Sequence, residues 1–147
     1  MSHTYAQNVV HVVFSTKDRQ KTIGRDLRPK LWAYLEGICR KLDVYIHAVG
    51  GMDDHLHLLI QVPADLALAK VVATLKANSS RWAGEQGHKF AWQQGYAAFS
   101  VSASAMPTVI RYIQNQEDHH KKMDFHAEFV ALLKKHGIEF DPKYVLG

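Results

Sequence analysis

The sequence predicts an α+β fold that runs β-α-β-β-α-β and ends in added C-terminal helices. Three observations carry this expectation. Apolar and β-branched runs over residues 5–14, 44–49 and 55–62 have the length and alternation of strands. Apolar residues recur at helical spacing over 25–42 and 66–86. Between the second and third strands, Gly50-Gly51-Met52-Asp53-Asp54 leaves room for a turn and none for a crossover, so those strands form an antiparallel hairpin. The result is the ferredoxin-like order, a four-stranded antiparallel sheet with two helices on one face and the other face open.

The first strand, 5–14, is apolar enough to lie inside the sheet, covered on part of both faces. Ser15 to Gly24 carries Lys17, Arg19 and Lys21 and reads as an exposed basic loop. The helix over 25–42 has its stripe at Leu31, Leu35, Ile38 and Leu42. Pro29 is tolerated only in the first turns, which sets the start at Asp26 or Leu27, and Asp43 ends the helix. After the hairpin, Pro63 closes the third strand. The helix over 66–86 buries Leu68, Val71, Val72, Leu75 and Trp82, presents Lys70, Lys76 and Arg81, and closes at Gly84 and Gly87. Residues 92–102 supply the fourth strand. A further helix starts near Ala103, capped by Ser102 or Ser104 with Pro107 in its first turn, and continues to about Lys122. It turns Val109, Ile110 and Ile113 inward. Residues 125–136 form a last amphipathic helix with Phe125, Phe129, Leu132 and Leu133 buried. The tail from Phe140 to Gly147 has no pattern that fixes whether it docks.

At 147 residues the chain is expected to be one domain, 1–147, with a core over about 5–122 and a C-terminal helix and tail over 123–147. No segment approaches the apolar run of about 18 residues that a membrane span needs. The first eight residues have neither a basic start nor an apolar block, so no secretory signal is expected. The single cysteine, Cys39, forms no internal disulfide, agrees with a reducing cytoplasm, and falls in a helical apolar pattern as a buried thiol. Eighteen basic against fourteen acidic residues, a net charge of +4 and a pI near 9.2 fit a polyanion partner, although many basic proteins bind no nucleic acid.

Along the strand from His55, Leu56, Leu58, Ile60 and Val62 share one face and read as core. His55 and His57 share the other, which the fold leaves open. Two imidazoles so spaced can hold one divalent metal when neutral. On the later helix, Tyr112 and Gln116 stand at i and i+4, one above the other, and His119 extends their face. Two imidazoles and an amide oxygen make a mixed N/O set with open positions, suited to Mg²⁺ or Mn²⁺ shared with a substrate phosphate and less to a structural zinc. A phenol beside such a site can act as a covalent nucleophile in phosphodiester transesterification. Each part also has a plainer reading: solvated histidines on a surface strand, a packing tyrosine and a surface glutamine.

Asp53-Asp54-His55-Leu56-His57-Leu58-Leu59, then Trp92-Gln-Gln-Gly-Tyr96-Ala-Ala-Phe-Ser100-Val-Ser, then Tyr112-Ile-Gln-Asn-Gln116, stand in an order that resembles the single-tyrosine HUH transposases. These are small enzymes of bacterial and archaeal insertion sequences, with relatives associated with repetitive extragenic palindromes. The resemblance runs from the first strand to about residue 122. It implies that His55 and His57 are the metal-binding pair and that Gln116 is a third ligand on the helix of the nucleophile. Tyr112 is then the residue that forms a 5′-phosphotyrosine with single-stranded DNA. It also implies a homodimer, in which one subunit's tyrosine helix can complete the other's histidine site, and recognition of hairpins in single-stranded DNA without any small-molecule cofactor or external energy source.

Around this set, His119 and His120 are alternative ligands or proton carriers, and Asp54 and His47 are candidates to orient the histidines. Tyr96 is a second phenol, read as packing. Lys17, Arg19, Lys76, Arg81, Arg111, Lys121 and Lys122 are candidate DNA contacts, each of which also fits an ordinary solvated surface. Two other functions share these features: a non-catalytic, domesticated hairpin-binding or regulatory protein on the same fold, and a replication initiator of the wider HUH class, for which 147 residues leave little room.

Overall fold

A computed structural model describes residues 3–145. Strand β1 (Val9–Ser15) leads through a 3-10 turn at Lys17–Arg19 to helix α1 (Leu27–Lys41). Strands β2 (Tyr45–Gly51) and β3 (His55–Gln61) form the hairpin, followed by α2 (Leu68–Glu85) and a short β4 (Ala97–Ser100). Helices α3 (Met106–Gln114), α4 (Gln116–His119) and α5 (Phe125–Lys135) complete the chain. The strand order β2-β3-β1-β4, with every neighbouring pair antiparallel, is the ferredoxin-like order expected.

Pairing register sorts the side chains into two cores. Val10, Val12 and Phe14 of β1 join Leu56, Leu58 and Ile60 of β3 under α1 and α2, whose stripes supply Leu31, Leu35, Val71, Val72 and Leu75. The other face carries Val13, Ala97 and Phe99, and it is not open. Phe125, Phe129 and Leu133 of α5 pack on one part of it, and Ile113 of α3 packs on Leu59 and Ala48 on another. This corrects the expectation of a free sheet face. Burying a Phe or Leu side chain stabilises by roughly 1.5–3 kcal/mol, so the buried residues of α3 and α5 hold both helices on this face.

Local boundaries shift for identifiable reasons. Gly50 and Gly51 lie inside β2, and the turn falls on Met52–Asp54. A Cβ on Gly50 would stand 2.2 Å from the Ile113 carbonyl oxygen, so the glycine is what lets α3 lie on the sheet. The fourth strand is shorter than 92–102 because Gly95 takes a φ of 83° and Trp92 turns into the helical layer, donating to Ser79 Oγ at 2.9 Å. The expected single helix from Ala103 to about Lys122 starts as a 3-10 turn and breaks at Asn115, with φ −101° and ψ 27°. Neither serine caps it; Ser102 and Ser104 bond to each other at 3.2 Å. Asp43, with φ 57°, ends α1 as expected, and the Asp124 carboxylate caps α5 by accepting from Ala127 N–H at 2.8 Å. Of the tail, Phe140 and Val145 pack on the α5 cluster, and residues 146 and 147 lie outside the described residues.

Candidate functional site

The site forms where α3, α4 and α5 close over the sheet. Ser15 pairs with His55 and Val13 with His57, so strand alternation aims both imidazoles at these helices. Both rings are 0% exposed rather than lying on an open face. Each is held from behind: His55 Nδ1 lies 2.8 Å from Asp54 Oδ1, and His57 Nδ1 lies 2.8 Å from Nε2 of His11. These outer contacts turn Nε2 of each ring inward. Phe125 stacks on the His55 ring with centroids 4.3 Å apart.

At the centre stands the carboxylate of Glu128, from α5, only 1% exposed. Its Oε1 lies 3.0 Å from His57 Nε2, 3.1 Å from His120 Nε2 and 3.4 Å from His55 Nε2. Its Oε2 accepts from Gln116 Nε2 at 3.2 Å and from the Tyr112 hydroxyl, and lies 3.2 Å from His119 Nε2. Gln116 opens α4, just past the break, so it is not on one continuous helix with Tyr112. Its Oε1 lies 2.9 Å from His55 Nε2.

Burial sets most of the charge states. It lowers His57 to about 4 against the pull of Glu128, and lowers His11 to about 3 with the help of His57. Burial works against ionised Glu128, but hydrogen bonds with His120 and His57 overcome it and hold the carboxyl below the usual range. Burial also opposes protonated His120, and the Glu128 contact outweighs it, raising that histidine. Burial followed by the Glu128 charge pushes the Tyr112 phenol up, so it is protonated at neutral pH. For Asp54 burial is outweighed by the His55 hydrogen bond, which keeps the carboxyl low.

This donor set fits a divalent cation. In a neutral His55 ring, Nδ1–H donates to Asp54 and leaves a lone pair on Nε2. That lone pair faces Gln116 Oε1 at 2.9 Å and Glu128 Oε1 at 3.4 Å, both acceptors. A cation between them satisfies all three, and imidazole nitrogens with amide and carboxylate oxygens suit Mn²⁺ or Mg²⁺. His55, His57 and Glu128 bring one ligand atom each within 4.8 Å of one another, as do His119, His120 and Glu128.

The structure thus gathers Asp54, His55, His57, Tyr112, Gln116, His119 and His120 into one cluster. His47 stays outside it, on β2, with its ring 4.7 Å from that of Tyr45. Tyr96 also stays outside. Among the basic residues, Lys17, Arg19 and Arg111 are exposed, Arg81 donates to Asn78 Oδ1 at 2.5 Å, and Lys121 pairs with Asp118 at 3.2 Å. Lys76 is half-buried over the Phe14 ring and donates to the carbonyls of Gln93 and Gly95, tying down the loop before β4. Lys122 lines a surface recess with Tyr112, Asn115, Asp118 and His119, which is the opening beside the phenol. Sequence reasoning missed two members. His11 interrupts the apolar run from Val9 to Phe14 in β1, and Glu128 falls at i+3 from Phe125 inside the buried stripe of α5; those misplaced polar residues were the available signals.

Comparison with known proteins agrees with this architecture. The family model described as IS200-like transposase matches residues 4–116. The chain is 24% identical over 129 residues to the transposase of insertion sequence IS200 from Salmonella typhimurium, covering 82% of this chain and 84% of that protein. A crystal structure of a Deinococcus radiodurans protein described as a transposase superposes with a TM-score of 0.65 at 22% identity, over 79% of this chain and 95% of that one. The structure of a REP-associated tyrosine transposase bound to a REP hairpin gives a TM-score of 0.63 at 15% identity, over 82% and 73%. At these identities the structural likeness speaks for the fold.

Proposed function

The chain belongs to the IS200-like transposases, and from that premise we propose that it cleaves and rejoins single-stranded DNA at hairpin-bearing element ends. In this reading Tyr112 forms a 5′-phosphotyrosine, and His55, His57 and Gln116 hold Mg²⁺ or Mn²⁺. The observation that carries it is the convergence of these four side chains in one buried cluster, with the Tyr112 and His57 rings 5.6 Å apart. When bound, the cation draws charge from a non-bridging phosphate oxygen. The Tyr112 oxygen loses its proton and forms the new bond to phosphorus as the bond to the 3′-oxygen breaks, and that oxygen takes up a proton and leaves as a 3′-hydroxyl. Rejoining is the reverse attack by a 3′-hydroxyl, so the ester is conserved and no nucleotide is hydrolysed.

The hairpin-bound relative with the same fold supports a hairpin in single-stranded DNA as partner. A homodimer, which the resemblance implies, would join two copies of a cluster that each chain gathers by itself. A cytoplasmic setting belongs to the same reading, and no helix among the described residues is long and apolar enough to cross a membrane.

The test is a covalent-adduct assay with hairpin-bearing single-stranded DNA and Mn²⁺. The parent protein is expected to yield a protein–DNA adduct that survives denaturation, and Tyr112→Phe none. His55→Ala loses cleavage and keeps most DNA binding, because phosphate contacts supply the affinity. An adduct of equal yield from Tyr112→Phe removes the nucleophile assignment.

A further inference from the structure

We propose that Glu128 is itself a ligand of the metal, supplied by α5 of the same chain, so that the cation is held before DNA arrives. This rests on the metal reading above and deepens it. Glu128 lies beyond residues 4–116, where the family model matches, and on a different helix from Tyr112 and Gln116.

The geometry around Oε1 is the first ground. Three imidazole Nε2 atoms, from His57, His120 and His55, stand 3.0, 3.1 and 3.4 Å from this single oxygen. One carboxylate oxygen has two lone pairs and cannot accept three hydrogen bonds in good geometry. Ligand atoms that share an ion at bond lengths of about 2.1 Å lie roughly 3–3.5 Å from one another, which is the spacing found here. His55 Nδ1 already meets Asp54, so its Nε2 is the ring nitrogen turned toward this oxygen and toward any ion beside it.

Charge is the second ground. A carboxyl group 1% exposed has lost its water and needs compensating partners at both oxygens. Among the described residues, the polar contacts of Glu128 are histidines, Gln116 and Tyr112, with no Lys or Arg. A divalent ion within that shell would place a fixed positive charge beside the carboxylate, where otherwise only a protonated imidazole can stand.

The third ground is anchoring. Phe125 and Phe129, on either side of Glu128 in the α5 stripe, are 2% and 4% exposed, and Phe125 stacks on the ring of His55. The helix that brings the carboxylate is therefore fastened to a histidine of the pair, and the carboxylate is not a mobile surface group.

The experiment titrates Mn²⁺ into the full-length protein without DNA and follows free Mn²⁺ by electron paramagnetic resonance, with circular dichroism as the check on folding. The parent binds Mn²⁺ and His57→Ala loses binding. Glu128→Gln, which keeps the side-chain shape and removes the charge, binds at least about tenfold more weakly. Glu128→Asp serves as a second variant should the glutamine form not fold; one methylene shorter, it also binds more weakly than the parent. A folded Glu128 variant that binds within about twofold of the parent, while His57→Ala does not bind, overturns the ligand assignment alone. Binding by His57→Ala equal to the parent overturns the metal reading beneath it.

Discussion

The Tyr112 hydroxyl donates to Oε2 of Glu128, which joins the proposed nucleophile of α3 to a buried carboxylate of α5. Hydrogen bonds to charged groups contribute about 1.5–3 kcal/mol. Glu128 keeps other donors when this one is removed, so the lower end applies. A double-mutant cycle of Tyr112→Phe and Glu128→Gln, read by urea unfolding, should show a coupling of about 1–2 kcal/mol. Additive effects would mean that the bond does not tie the two helices together.

Gly50 sets the height of α3 above the sheet. A methyl group there would meet the Ile113 carbonyl at 2.2 Å, backbone that cannot swing aside. Gly50→Ala should therefore destabilise the fold by about 1–3 kcal/mol, as overpacking does. It should also lower adduct yield, because Ile113 adjoins Tyr112 and the whole segment must lift. Unfolding in urea and the adduct assay measure the two effects separately; unchanged stability would show that α3 has slack.

The strand order and the inner core were legible because they depend on local periodicity. Leu56, Leu58 and Ile60 alternate against His55 and His57, and Leu31, Leu35 and Ile38 recur at helical spacing. The cover on the second face was harder to read, since it depends on how α3 and α5 fold back. Its traces were an apolar β1 buried on both sides and the inward Ala97 and Phe99 of β4. Tyr112, Gln116 and the histidine pair could be grouped by motif order. Glu128 could not, because its role depends on a tertiary approach between α5 and β3 that no spacing along the chain encodes. The break at Asn115 was likewise invisible, as one residue off helical geometry leaves the apolar pattern of α3 intact.

Cys39 should be inert in the native chain. It is 1% exposed, and burial, then the charge of Glu36, raises the thiol to about 12. An unfolded cysteine titrates near 8.5, so this group's contribution to stability is complete below about that pH and falls as pH climbs toward 12. Ellman's reagent at about pH 8 should leave the native protein unlabelled and react at once in urea. Rapid labelling without denaturant would mean that α1 opens locally.

Assembly of the site within one chain gives the last prediction. Tyr112, Gln116, His55 and His57 meet without a second subunit, and the α5 carboxylate joins them from the same chain. Mixing inactive His57→Ala with inactive Tyr112→Phe should consequently fail to restore adduct formation at any ratio, even where the two copies pair. If subunits exchange their tyrosine helices, a mixed pair contains one site with both an intact histidine pair and an intact phenol. Activity would then return, to about a quarter of the parent level for random pairing of equal amounts, counting one good site in half of the pairs. Recovery on that scale would show that α3 leaves its own histidines during the reaction, and that the contacts of Tyr112 with His57 and Glu128 belong to a resting state.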